Sequence, residues 1–231
     1  MIEYAGRMDL FPTPVWRYKL TEFDKIEEPL VRYLAQDSLY FTDRERNGVQ
    51  TTEGDLHKDP EHIILKPIRD FFQVCFEDVM DKMGYEKSCG ITGMWATRQK
   101  QGGYHHKHMH RNCFLVGVFF MFDIDNNAQG TNLFNVNSSL HMIQPRMQKG
   151  KQEFLNEQEV LTFEKGSCII FPGWVPHSTL PSPSKYRIII GANSMPIGKA
   201  NSDHYDQYEF PDPADMKYFK LSDHLKNGYS K

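Results

Sequence analysis

The sequence predicts an α+β fold, mainly β, in which two helices precede a sandwich or small barrel. Three observations predict it. Helical patterns lie before Gly90. From Gly90 onward, short runs rich in β-branched and aromatic residues alternate with turn residues. No repeat or linker cleanly splits the 231 residues, so we read 1–231 as one domain. Its expected parts are 1–89 (N-terminal strand and helices), 90–198 (β core) and 199–231 (polar extension).

The elements follow in order. Leu10 to Tyr18 reads as an extended edge segment, because Pro12 and Pro14 forbid a helix and remove ladder donors. A short helix is predicted from about Glu28 to Gln36, with Pro29 suited to its first turn. Residues 38–58 are polar and turn-rich, hence loop. A longer helix should start with Asp59 as cap and Pro60 in its first turn, with Pro67 as a candidate kink. Leu65, Ile68, Phe72, Cys75, Val79 and Met83 recur at helical spacing, and Gly84 ends the run. Strands are predicted near 91–99, 104–110, 113–122, 131–136, 158–163, 167–172 and 185–194. Turns fall at 123–127 and 129–130. Residues 137–157 form a long polar loop, a candidate lid. One weakly helical run lies around 215–226.

Composition bounds the function. Hydrophobic residues make up 39% and aromatics 13%, which is globular rather than disordered. A net charge of −3 gives no electrostatic case for nucleic acid or an anionic membrane. No apolar run approaches the ~20 residues of a membrane span. Met1-Ile2-Glu3-Tyr4 opens no secretory signal. Cys75, Cys89, Cys113 and Cys168 are scattered without a CxxC pair, as expected of reduced thiols in a cytoplasmic protein.

The chemistry concentrates in Tyr104-His105-His106-Lys107-His108-Met109-His110, which holds four of the ten histidines. On a strand, alternate side chains share a face, so His106, His108 and His110 would stand together and His105 opposite. Imidazoles two residues apart can grip one ion, and a third ligand from a distant strand would complete a facial set. His106 could equally be a substrate contact or plain surface. Downstream, a buried strand ends at Phe171-Pro172 and a turn stiffened by Pro176 delivers His177. Arg187 then sits within the apolar Tyr186-Arg187-Ile188-Ile189-Ile190, where a guanidinium needs a partner. If that strand returns antiparallel to the one beginning at His177, Arg187 approaches the site from the side, as a fork suited to a carboxylate.

The order HxH, a long gap, G-x-x-x-x-FP-x-x-x-x-H, and an arginine ten residues later resembles the iron(II)- and 2-oxoglutarate-dependent oxygenases. The group most similar is one found in bacteria and marine phages. Leu10 to Trp16, Trp95-Ala96, His108 to Phe120, Phe171 to His177 and Arg187 to Asn193 carry the resemblance. His108 to Phe120 resembles the group's HxHPNSFLSGVYY pattern, with Arg111 for proline, Val116 for serine and Phe119 for tyrosine.

The resemblance implies a double-stranded β-helix (jelly-roll, cupin-like) core with the N-terminal helices packed on one sheet. It implies iron(II) and 2-oxoglutarate as cofactors. His108 and His177 become metal ligands, and His110 takes the place of the usual carboxylate. Arg187 becomes the clamp for the distal carboxylate of 2-oxoglutarate, with Asn112 and Asn193 as further cofactor contacts. The implied reaction hydroxylates a small-molecule or peptidyl substrate and releases succinate and carbon dioxide. Rival readings are a three-His zinc enzyme, a jelly-roll binding module, and a three-His iron dioxygenase without co-substrate. A homodimer is allowed.

Overall fold

The computed structural model describes residues 12–41, 45, 47–58, 60–85, 89–123, 125, 129–137, 156–162, 164–200 and 208–210. Eleven strands and two α-helices are named among these residues. Strand β1 (Trp16–Lys19) opens the chain, followed by α1 (Glu27–Leu34), β2 (Val49–Thr51) and α2 (Lys66–Lys82). The β-rich part runs through β3 (Cys89–Lys100), β4 (Leu115–Asp123), β5 (Gln129–Phe134) and β6 (Gln158–Thr162). It continues with β7 (Ser167–Pro172), β8 (His177–Thr179) and β9 (Tyr186–Pro196). A two-stranded pair, β10 (Gly198–Ala200) and β11 (Tyr208–Phe210), follows.

Two antiparallel sheets make the core. The larger has the order β1-β7-β4-β9-β3-β2, and the smaller β6-β5-β8. The long β3–β9 pairing runs from Cys89↔Pro196 to Lys100↔Tyr186. Both helices cover the outer face of the larger sheet, as expected. Phe72 and Phe76 of α2 pack there with Met94, Phe119, Ile188 and Ile190, all fully or almost fully buried. Gly117 lets the helix come close, since a Cβ there would stand 2.5 Å from the Phe72 ring. The inner face carries a smaller cluster, including Val116, Ile169 and Phe171 with Leu133 of the opposing sheet.

Several expectations need correction. α2 starts at Lys66 after a 3-10 turn over Pro60–Leu65. Pro67 therefore occupies its first turn instead of kinking it, which is where a missing N–H costs nothing. The expected Asp59 cap lies outside the described residues. The loop expected over 38–58 contains β2, a three-residue strand held by β3. Residues 129–130, read as a turn, begin β5. Residues 104–110 are not a strand; their one bridge is His108↔His177. Strand β9 pairs with β3 and β4, not with β8, so Arg187 belongs to the sheet opposite His177. The lid candidate, apart from residues 137 and 156–157, and the 215–226 helix lie outside the described residues. Gly84 does end α2, at φ 80° with its N–H on the Asp81 carbonyl. Among the described residues no helix is long and apolar enough to cross a membrane.

Candidate metal centre

The site lies between the two sheets. Residues 105–110 run along the free edge of β8. The Thr179 N–H donates to the His105 carbonyl at 3.2 Å, and the His110 N–H donates to the Gly173 carbonyl at 3.1 Å. Between these, His108 and His177 exchange both backbone hydrogen bonds, at 2.9 and 2.8 Å. The turn that makes this possible needs glycine at 173, because a Cβ there would meet the Cys113 carbonyl oxygen at 2.2 Å. The histidine segment is thus laced to β8 with uneven spacing, which is why it is no regular strand.

The lacing gathers three imidazoles. Ligand atoms of His108, His110 and His177 all lie within 4.8 Å of one another. Ring centroids stand 4.3 Å apart for His108–His177, 4.9 Å for His110–His177 and 5.3 Å for His108–His110. In each ring Nδ1 faces an oxygen acceptor. His108 bonds the His106 carbonyl at 2.7 Å, His177 the Val175 carbonyl at 3.0 Å, and His110 the Asn193 Oδ1 at 2.6 Å. Each Nδ1 therefore carries the proton, and each Nε2 is left with a lone pair. Burial pushes His177 down to about 3 and also lowers His110, against the opposing pull of its Asn193 bond. Neutral imidazoles with aligned Nε2 atoms are the donor set a divalent transition ion takes.

His105 and His106 do not join this cluster. His105 lines the cavity beside the cluster, and burial lowers it to about 4. His106 turns outward, its ring edge-on to Tyr104 at 5.0 Å. The shared face expected for 106, 108 and 110 is thus limited to 108 and 110.

Two cavities meet at the cluster. The inner one, about 60 Å³, lies between Trp95, Val116 and Ile189 of the larger sheet and Thr131, His177 and Thr179 of the smaller. The outer one, about 310 Å³, is lined by Asn47, Val49, Thr51, Tyr104 and His106, and shares His105 and His108 with the inner.

Arg187 is 1% exposed and shares its face of β9 with Ile189, Gly191 and Asn193. It is not in the inner cavity's wall. Its Nε donates to Gln99 Oε1 at 2.7 Å, and Nη2 donates to the same oxygen. Gln99 Nε2 donates in turn to Thr179 Oγ1 at 3.3 Å, so one side chain separates the guanidinium from the cavity. Burial lowers Arg187 to about 10, which Asp123 opposes. Asn112 is exposed in the turn before β4, at φ 57°, and does not reach the cavity. Asn193 touches His110. Gln99, Thr131 and Thr179 escaped the sequence reading, and Trp95 entered it only through the resemblance, without a role at the site. A signal existed for Gln99 and Thr131, which are polar residues on otherwise buried strands.

Residues 93–193 match a family model described as "Putative 2OG-Fe(II) oxygenase". Among curated proteins none matches by sequence. Several solved structures share the fold. A Pseudomonas putida prolyl-4-hydroxylase is 11% identical, with a TM-score of 0.54, covering 81% of this chain and 95% of that one. HygX from Streptomyces hygroscopicus, solved with nickel, 2-oxoglutarate and hygromycin B, is 10% identical, with a TM-score of 0.55 and coverage of 80% and 83%. The epimerase SnoN, in complex with Fe3+, alpha ketoglutarate and nogalamycin RO, is 11% identical, with a TM-score of 0.56 and coverage of 80% of each chain. At these identities the likeness concerns the fold.

Proposed function

We propose that the protein is a member of the 2OG-Fe(II) oxygenase family, whose model matches residues 93–193, and that it hydroxylates an unidentified substrate. It is a 2-oxoglutarate-dependent oxygenase whose cofactors are iron(II) and 2-oxoglutarate. The observation that carries the reading is the convergence of His108, His110 and His177, whose ligand atoms lie within 4.8 Å of one another while each Nδ1 bonds an oxygen acceptor. When bound, iron(II) with 2-oxoglutarate supplies the oxidising chemistry from dioxygen, and 2-oxoglutarate leaves as succinate and carbon dioxide.

The chain's own residues do the rest. The three imidazoles hold the ion, and their Nδ1–H bonds keep the rings from turning. Trp95, Val116, Val118 and Ile189 give the inner cavity apolar walls that exclude water. Arg187 receives the distal carboxylate of 2-oxoglutarate once its Gln99 contact is exchanged for the stronger charged one. Thr131 and Thr179 line the route between them. The outer cavity, which opens beside His108, admits the substrate, a small molecule or a peptidyl side chain. The four free cysteines support a reducing compartment, the cytoplasm.

The test is anaerobic loading with iron(II) followed by titration with 2-oxoglutarate. The reading expects a visible charge-transfer band and, in air, succinate formation. Iron bound without band or succinate would overturn it in favour of a three-His centre without co-substrate or a binding module. Tight zinc with no response to 2-oxoglutarate would favour the zinc enzyme.

A further inference from the structure

The three imidazoles are not held alike. His108 and His177 each bond a backbone carbonyl two residues upstream. Those acceptors are part of the chain itself, and no substitution at 106 or 175 removes them. His110 instead bonds a side-chain oxygen, that of Asn193, 83 residues away. It is the one of the three whose orientation a single mutation can undo. We propose that Asn193 is the positioning residue of this centre: its Oδ1 fixes the tautomer and the angle of His110, and so sets the third ligand.

The surroundings support a ring held from two sides. Asn193 projects from β9 on the cavity face, two positions beyond Gly191. The Trp95 indole tilts against His110 at 5.7 Å between centroids. Trp95 keeps that place because residue 191 is glycine; a Cβ there would stand 2.6 Å from the indole. Asn193 thus fixes the ring's polar edge while Trp95 limits its tilt. The amide has two faces, and only one works. With Oδ1 toward His110, Nδ1 keeps the proton and Nε2 is free for an ion. With Nδ2 toward it, Nδ1 would accept, the proton would move to Nε2, and the ligand would be lost. A carboxylate at 193 accepts from either oxygen and would make the imidazole a stronger donor. This role replaces the direct co-substrate contact expected of Asn193.

The inference rests on the metal-centre reading, and cobalt(II) titration of the folded full-length protein separates the two. Affinity and the visible ligand-field spectrum are followed for wild type, His110→Ala, Asn193→Leu and Asn193→Asp. The expected result is about a 10- to 100-fold loss of affinity and an altered spectrum in Asn193→Leu, with Asn193→Asp near wild type or tighter. Should Asn193→Leu fail to fold, Asn193→Ala serves the same arm. Affinity within about twofold of wild type in Asn193→Leu, or an Asn193→Asp as weak as Asn193→Leu, overturns the positioning role. Wild type that binds no cobalt, or binding unchanged in His110→Ala, fells the metal-centre reading itself.

Discussion

The two faces of the larger sheet are made by the same strands and do different things. Along β9, Ile188, Ile190 and Ala192 face the helices, while Arg187, Ile189, Gly191 and Asn193 share the opposite face, on which Ile189 and Gly191 wall the cavity. Along β4, Phe119 faces α2 while Val116 and Val118 wall the site. The outer face is apolar and closely packed. The inner face carries the Arg187 guanidinium and the Gln99 and Asn193 carboxamides, and it looks across open space toward the three imidazoles held along β8 of the smaller sheet. The difference teaches that alternation along a strand lets one element carry stability and chemistry separately. Substitutions on one face should leave the other's property largely intact.

The sharpest way to break this separation is His177→Ala. It should abolish metal retention and 2-oxoglutarate turnover, measured by metal analysis and succinate release, yet cost less stability than a core truncation. Full metal occupancy in the variant would retire His177 as a ligand. The mirror experiment is Phe72→Ala, which should cost about 3–5 kcal/mol in denaturant unfolding. Metal affinity of its folded fraction should stay near wild type; a large loss there would mean the faces are coupled. Next, Arg187→Ala should weaken 2-oxoglutarate binding by about 1.5–3 kcal/mol while metal affinity holds. Unchanged co-substrate affinity would remove Arg187 as the clamp.

The smallest effect concerns pH. Burial lowers His177 to about 3 and His105 to about 4, below the ordinary imidazole value of about 6.5. Between those limits the unfolded chain binds protons that the folded chain refuses. Metal-free protein should therefore lose stability as pH falls from about 6.5 toward 4. Unfolding midpoints of chelator-treated protein at neutral and acid pH check this, and His177→Gln should flatten the slope. A profile as steep in His177→Gln as in wild type would place the proton uptake elsewhere.

The long strands were legible because they are runs rich in β-branched and aromatic residues bounded by turns, and α2 because its apolar stripe repeats. The three-residue strands β2 and β8 were not, since their pairing comes from β3 and β5 rather than from their own pattern. The histidine run looked like a strand from composition alone. Its real path is fixed by carbonyls of the 173–177 turn and by Thr179, which spacing cannot show. For α2, Asp59-Pro60 read as the start and Pro67 as a kink, whereas the helix begins at Lys66 with Pro67 in its first turn. The meeting of His108, His110 and His177 was foreshadowed by HxH and the downstream histidine. The hold of Asn193 on His110 was not, because it spans 83 residues between elements of unrelated pattern.

His108 is exposed while His177 is buried at 6% exposure. Of the three donors, His108 is thus the one most open to solvent, and His177 is the innermost. Exchange proceeds past His108, and a three-nitrogen site follows the general affinity order of first-row ions, which leaves its occupancy to geometry and metal supply. Protein purified from cells should carry the metals its growth medium supplied, so the inventory found on isolation reports the culture rather than the catalyst.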